Sequence, residues 1–125
     1  MRKAVIEKIR MLAEMNTDWD LEILKECDEE IEAFKIKAED FPDDADVLFD
    51  LGVFLLRKGE TYGLKNFLRL SVDLFIRVRN FVSDEDYARA LVGEGNARLR
   101  LAEMGIDAKD NLRKAVKLYE KSRNI

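Results

Sequence analysis

The 125-residue chain contains no histidine, no glutamine, one cysteine and one proline. Without histidine, it lacks the usual general base at neutral pH and a common metal ligand. The lone cysteine, Cys27, excludes an internal disulfide, and no second cysteine or histidine is present to complete a zinc site. We therefore expect a non-catalytic protein without a metal or cofactor, in a reducing, cytoplasmic setting.

Long apolar runs are also missing. The longest one, Leu51 to Leu56 with Gly52 included, is far shorter than the roughly 20 residues that a membrane-spanning helix needs. The opening residues "MRKAVIEKIRMLAEM" carry charges at Glu7, Lys8 and Arg10, where a signal peptide would keep a continuous apolar segment. We expect neither export nor a membrane partner.

Charged residues make up 38% of the chain, and their abundance without glutamine resembles the composition of thermophile proteins. Their signs are unevenly distributed. Residues 1–50 contain 7 basic and 16 acidic side chains, whereas residues 51–125 contain 15 basic and 10 acidic ones. This asymmetry fits solvated helix faces of opposite sign, and it equally fits steering of an acidic ligand or head-to-tail self-association.

The rest of the chain reads as helix almost throughout, because its apolar residues recur at helical spacing and no strand alternation is sustained. Thr17 and Ser83 are candidate N-caps, the aspartates beside Pro42 cap another helix, and Gly59 and Gly105 are candidate C-terminal stops. These signals predict about six helices, at roughly 2–15, 17–40, 45–58, 64–80, 84–104 and 107–123.

The third predicted helix is apolar on all sides, which is typical of a helix enclosed by neighbours. The last one places Ala108, Leu112, Ala115, Val116 and Tyr119 on one face. We therefore predict an all-α fold in which antiparallel hairpins, at roughly 1–41, 42–82 and 83–125, stack in a row as a single domain. A four-helix bundle would leave two helices and the short turns after Lys58 and Met104 without a purpose.

The stretch "ADVLFDLGVFLLRKGE" resembles the first helix of a tetratricopeptide repeat, which has a large apolar residue, Leu-Gly, another large residue and a glycine turn. Leu48, Leu51, Gly52, Leu55 and Gly59 fall in register. Pro42 stands where the family's repeat-ending proline would stand. In the partner helices, the matching positions are Leu64, Leu68 and Ser71, and Ala108, Leu112 and Ala115.

The pattern departs from the family in its spacing, since Gly52 and Gly95 are 43 residues apart and the family's repeat has about 34 residues. A longer fourth helix or a longer connection would account for the difference. The N-terminal hairpin matches the pattern only through Phe34 and Pro42. The resemblance therefore covers about 80 residues.

The resemblance implies a short right-handed solenoid that binds a peptide or protein segment on its concave face. Carried over by position, the binding residues would be Phe49, Val53, Leu56, Arg57, Arg89, Asn96 and Arg100. Relatives that clamp a carboxylate use Lys and Asn where Phe49 and Val53 stand here, so an apolar ligand is expected. Because no capping helix follows the last hairpin, the resemblance also implies a possible homodimer.

Three alternatives stay open on the sequence. Phe49 and Val53 also fit a core role. The acidic helix "EILKECDEEIEAF" resembles those that hold magnesium in all-α nucleotide pyrophosphohydrolases, with Glu26, Glu29 and Glu32 within helical reach. A weak association with nucleic acid would use the basic C-terminal half, although its basic residues alternate with acids and the pI is about 5.0.

Overall fold

The computed structural model describes residues 44–125, which form four α-helices: α1 (Ala45–Tyr62), α2 (Lys65–Val78), α3 (Asp84–Glu103) and α4 (Ala108–Arg123). The chain divides by its contacts into two units, Met1–Val47 and Leu48–Ile125. The all-α prediction is confirmed for the described range, which contains no strand. The first two predicted helices, and hence the hairpin at 1–41, lie outside it.

Helix α1 begins at the aspartates after Pro42, as expected. The Asp44 carboxylate accepts hydrogen bonds from the backbone N–H groups of Asp46 at 2.8 Å and Val47 at 3.4 Å, which is the pairing of an N-cap. Ser83 also precedes its helix, but its hydroxyl makes no capping hydrogen bond. The first cap is therefore confirmed, and the second is confirmed in position only.

The predicted stop at Gly59 is wrong, because α1 continues to Tyr62. Gly59 lies inside the helix, and a Cβ atom there would stand 2.7 Å from the Leu68 side chain, so this glycine permits close packing of α2. The stop is Gly63, whose φ is +68°. The Leu64 N–H reaches back to the Gly59 carbonyl at 3.0 Å, the bond that closes a Schellman turn.

The same turn ends α3, where the predicted stop at Gly105 is confirmed. Gly105 has a φ of +77°, and its N–H bonds to the Ala102 carbonyl at 2.9 Å. The next residue, Ile106, donates to the Leu101 carbonyl at 3.0 Å. Both connections therefore consist of a left-handed glycine followed by an inward-facing aliphatic residue.

Helices α1 and α2 form an antiparallel hairpin, since Gly59 packs on Leu68 near the turn and Gly52 packs on Phe75 farther from it. The Ser71 hydroxyl donates a buried hydrogen bond to the Gly52 carbonyl at 2.8 Å. Burial of polar groups is tolerated when they are paired in this way. The largest fully buried side chains are Phe67, Phe75, Leu48, Leu55, Leu68, Leu74, Leu91 and Val78.

Helices α3 and α4 form a second antiparallel hairpin, and α2 packs against α3. The interface between the two hairpins includes a buried aliphatic cluster of five residues: Leu56, Leu68, Val72, Ala97 and Leu101. The four helices therefore pack against each other through a shared core. None of the helices within residues 44–125 is long and apolar enough to cross a membrane.

The buried face of α4 differs from the predicted one. Asn111 and Ala115 are its buried residues, whereas Leu112 and Val116 are 49% and 47% exposed. Asn111 is held inward by two hydrogen bonds, from its Nδ2 to the Ile106 carbonyl at 2.8 Å and from the Arg98 guanidinium to its Oδ1 at 3.1 Å. A polar residue thus takes a core position, and two aliphatic residues are left in solvent.

Candidate binding groove between α1 and α3

A groove runs between α1 and α3, the first helices of the two hairpins. The two helices are parallel, because Phe49 lies beside Arg89 near their N-terminal ends and Glu60 lies beside Arg100 near their C-terminal ends. The groove has a volume of 540 Å³, which lies within the range of ligand-binding clefts.

The floor of the groove is built on Phe75 of α2. Its ring is packed between two glycines, since a Cβ atom would stand 3.0 Å from it at Gly52 and 2.6 Å from it at Gly93. Phe49 meets the same ring edge to face, with 5.4 Å between the ring centroids, a favoured arrangement of aromatic pairs. The glycines therefore let Phe75, which belongs to α2, reach the floor of the groove between α1 and α3.

Three further apolar residues complete the floor: Val53, Leu56 and Val92. Leu56 is buried, and it belongs to the core cluster between the hairpins. Val53 and Phe49 are only partly buried, and Val92 is 38% exposed. The sequence left open whether Phe49 and Val53 are core residues, and the structure places both at the boundary between core and solvent.

Three arginines line the edge of the groove, and they differ in whether an acidic residue pairs with them. The Arg89 guanidinium lies over the Phe49 ring at 5.4 Å, a cation–π contact, and it is 3.9 Å from Asp86. Arg57 and Arg123 also line the groove, and neither makes a salt bridge within the described part of the chain. The groove therefore offers two cations to a ligand.

Asn96 joins the groove to α4. Its Oδ1 accepts a hydrogen bond from the Tyr119 hydroxyl at 2.7 Å, and burial raises the pKa of Tyr119. The Tyr119 ring packs over Gly95, where a Cβ atom would stand 2.8 Å from it. Because Tyr119 occupies the amide oxygen, Asn96 offers its NH₂ group to a ligand in the groove.

Six of the seven residues predicted to bind a ligand line this groove: Phe49, Val53, Leu56, Arg57, Arg89 and Asn96. Arg100 does not line it. Its guanidinium pairs with Glu60 at 2.9 Å and with Glu103 at 3.1 Å. The hydrogen bond that Arg100 donates to Glu103 and the charge of Glu60 raise the Arg100 pKa. Arg100 is thus already occupied at the C-terminal end of the groove.

Sequence reasoning missed three groove residues that come from other helices, Phe75, Ser122 and Arg123, and four on α1 and α3 themselves: Glu60, Glu85, Ala88 and Gly93. Phe75 belongs to α2, the second helix of the first hairpin, and Arg123 is the last residue of α4. Neither position follows from a pattern on the first helices. The pair Gly52 and Gly93 is a usable signal, because glycines inside helices mark close approaches.

A charged network lies beneath the surface where the two hairpins meet. The Glu94 carboxylate is 4% exposed, and it lies 2.8 Å from the Arg98 guanidinium and 3.0 Å from that of Arg79. Arg98 also donates to Asn111 of α4. A buried carboxylate is tolerated only when it is paired, so this network links the end of α2 to α3 and α4 and has a structural role.

Residues 44–125 contain no group of three or more His, Cys, Asp or Glu that could hold a metal ion. The carboxylates of the magnesium-dependent alternative, Glu26, Glu29 and Glu32, lie outside the described residues. The direct test of this alternative is an assay for magnesium-dependent nucleotide hydrolysis. The alternative requires that Glu29→Gln abolish any such activity.

Comparison with known proteins adds no relative. No family model matches the chain, and neither the curated proteins nor the solved structures contain a match.

Proposed function

We propose that this chain is a non-catalytic interaction module, which binds a peptide or protein segment in the groove between α1 and α3. The observation that carries the proposal is the exposure of Phe49, Val53 and Val92 on one concave surface. Apolar side chains gathered in a concave surface are typical of binding sites.

The chemistry of the groove suits a segment with one apolar side and acidic residues beside it. The apolar side would cover the floor, as in complexes where an amphipathic helix enters a groove. Arg57 and Arg123 would face the acidic residues of the ligand. Glu85 also lines the groove, so a basic side chain near the N-terminal end of α3 would be accepted as well.

We further propose that the hairpins are tetratricopeptide-like and form a short right-handed solenoid. The two described hairpins repeat the same devices, which supports this proposal. Each connection uses a left-handed glycine, Gly63 or Gly105. Each first helix uses a glycine, Gly52 or Gly95, against an aromatic residue of its partner helix. Repeats that stack in this way present their first helices side by side.

The first prediction concerns the groove. Peptides selected from a random display library against the full chain are measured again by calorimetry on Val92→Glu. We expect at least a tenfold loss of affinity, because the substitution places a carboxylate on the apolar floor. Val92 is preferable to Phe49, since Phe49 packs on Phe75 and its replacement would also disturb the fold.

The matched control is Met104→Glu after the end of α3, which also places a carboxylate at a similarly exposed apolar position outside the groove. It should leave peptide affinity unchanged. Circular dichroism on both variants checks that the helix content is kept. Peptides that bind Val92→Glu as tightly as the unmodified chain, or a library that yields no binder, would contradict the proposed function.

Self-association is a second candidate. The observation that favours it is the exposure of Leu112 and Val116 on α4.

A further inference from the structure

Helix α4 presents two parallel rows of side chains to solvent. Ala108, Leu112 and Val116 follow one another at intervals of four residues and are all exposed. Lys109, Arg113 and Lys117 form the adjacent row with the same spacing. Residues four apart lie one turn above each other on a helix. We call these six residues the α4 stripe, which is apolar along one edge and basic along the other.

The basic row has little compensation nearby. Lys109, Arg113 and Lys117 make no salt bridge within residues 44–125, whereas the neighbouring Lys114 is paired with Asp110 at 3.0 Å. The Arg113 charge does help to lower the pKa of Asp110, after the larger effect of the Lys114 hydrogen bond. Glu120 is the one acidic residue that extends the apolar row. The α4 stripe is therefore suited to an acidic partner with an apolar side.

A symmetric contact between two α4 stripes would bring the two basic rows together, and like charges across an interface oppose association. The acidic part of this chain has the opposite character. Residues 17–40, "TDWDLEILKECDEEIEAFKIKAED", contain ten acidic and three basic residues, with leucine, isoleucine and phenylalanine at helical spacing. This sequence complements the α4 stripe in both charge and apolar pattern.

We propose that the α4 stripe binds residues 17–40 of a second copy of this chain, so that copies associate head to tail. This contact does not use the groove, so it is independent of the proposed peptide binding, and it specifies the self-association given above as the second candidate function. If two copies make this contact reciprocally they form a closed dimer, and if each copy passes it on to the next they form a ring or a filament. Each contact covers few aliphatic side chains, so we expect weak association. The fraction of associated chains should therefore change over the range of protein concentrations measured.

The test is the molar mass of the full chain, measured by light scattering behind a sizing column over a wide concentration range at low and high salt. We expect masses above the monomer value of 14.5 kDa at low salt that fall towards it at high salt, because salt screens exposed charges. Val116→Glu should remain a monomer throughout. Val92→Glu, in the groove, should associate like the unmodified chain.

A second measurement uses a synthetic peptide of residues 17–40, which contains Trp19, the only tryptophan of the chain. When this peptide carries a fluorescent label, its fluorescence anisotropy should rise on addition of excess full chain. The rise should be at least fivefold smaller when the added chain carries Arg113→Glu. Circular dichroism checks that both variants fold. Any one of four results would overturn the proposal. The chain is monomeric under all conditions, or its association strengthens with salt. Alternatively, association persists in Val116→Glu or is abolished by Val92→Glu.

Discussion

At the scale of single residues, the packing of glycines against aromatic rings determines the shape of the groove. Phe75 reaches the groove floor because Gly52 and Gly93 leave room on either side of its ring. Protein cores are packed as densely as organic crystals, so a single added methyl group at these positions has no free space. The glycines are therefore part of the groove although they carry no chemistry.

The second prediction follows from this contact. Gly93→Ala should lower the free energy of unfolding by about 2 kcal/mol, because overpacking a well-filled core typically costs about 1–3 kcal/mol. The new Cβ would stand 2.6 Å from the Phe75 ring, which is fully buried. Equilibrium unfolding in urea, followed by circular dichroism, measures the change.

Gly52→Ala is the matched control, since its Cβ would stand 3.0 Å from the same ring. The ring needs to shift less, so we expect a smaller loss of stability than for Gly93→Ala. A Gly93→Ala variant as stable as the unmodified chain would show that Phe75 can move aside. The ring would then not be confined by the two glycines.

At the scale of the helices, the two connections are alike in backbone geometry. Gly63 and Gly105 both have positive φ, and no atom lies within 4 Å of a Cβ placed at either one. Their requirement is therefore conformational and owes nothing to packing. In the sequence, Gly59 follows an apolar helical pattern as a C-cap would, but its role is to permit close packing. Gly59 and Gly105 therefore have similar sequence contexts and different physical roles.

The third prediction separates these roles. Gly105→Ala should lower the free energy of unfolding by about 1 kcal/mol, because a residue with a Cβ pays about 1–2 kcal/mol in the left-handed region. Gly105→Asn should cost less, since asparagine visits that region more readily. Thermal unfolding of both variants measures the difference. Equal losses for alanine and asparagine would contradict a purely conformational role for this glycine.

At the scale of the whole described unit, the Glu94 network ties the two hairpins together. Arg79 follows α2, Glu94 and Arg98 belong to α3, and Asn111 belongs to α4. The aliphatic cluster joins the same hairpins through Ala97 and Leu101 of α3, which lie three and seven residues after Glu94 and therefore on the same face of that helix. One carboxylate thus helps to hold together three consecutive helices.

The fourth prediction concerns this carboxylate. Glu94→Gln should lower the free energy of unfolding by about 3 kcal/mol, because removing one partner of a buried ion pair leaves the others uncompensated. Glu103→Gln, at a carboxylate that is 52% exposed and paired with Arg100, should cost less than about 1 kcal/mol. Urea unfolding compares the two variants. Similar losses for both would show that Glu94 is not essential to the contact between hairpins.

Much of this fold could be read from local signals. The caps at Asp44 and Gly105 and the extents of α3 and α4 follow from short-range chemistry that acts within a turn of helix. Six of the seven binding residues that the resemblance to tetratricopeptide repeats implied also line one groove.

Other features required the tertiary structure. The choice between cap and packing glycine at Gly59 depends on Leu68, nine residues away. The rotation of α4 depends on hydrogen bonds between Asn111, Arg98 and the Ile106 carbonyl. The groove floor depends on Phe75, which comes from a helix that no pattern on α1 or α3 identifies. Contacts between elements decide these points, and helical periodicity within one element does not contain them.

The sequence by itself determined the helical class of residues 44–125 and most helix limits within them, because these depend on neighbours within a few residues. Only the tertiary structure decided which apolar residues stay in solvent. Leu112 and Val116 have the same apolar character as buried neighbours, and they are exposed because Asn111 and Ala115 take the core positions of α4. Burial is a property of how elements meet, and one helix alone does not specify it.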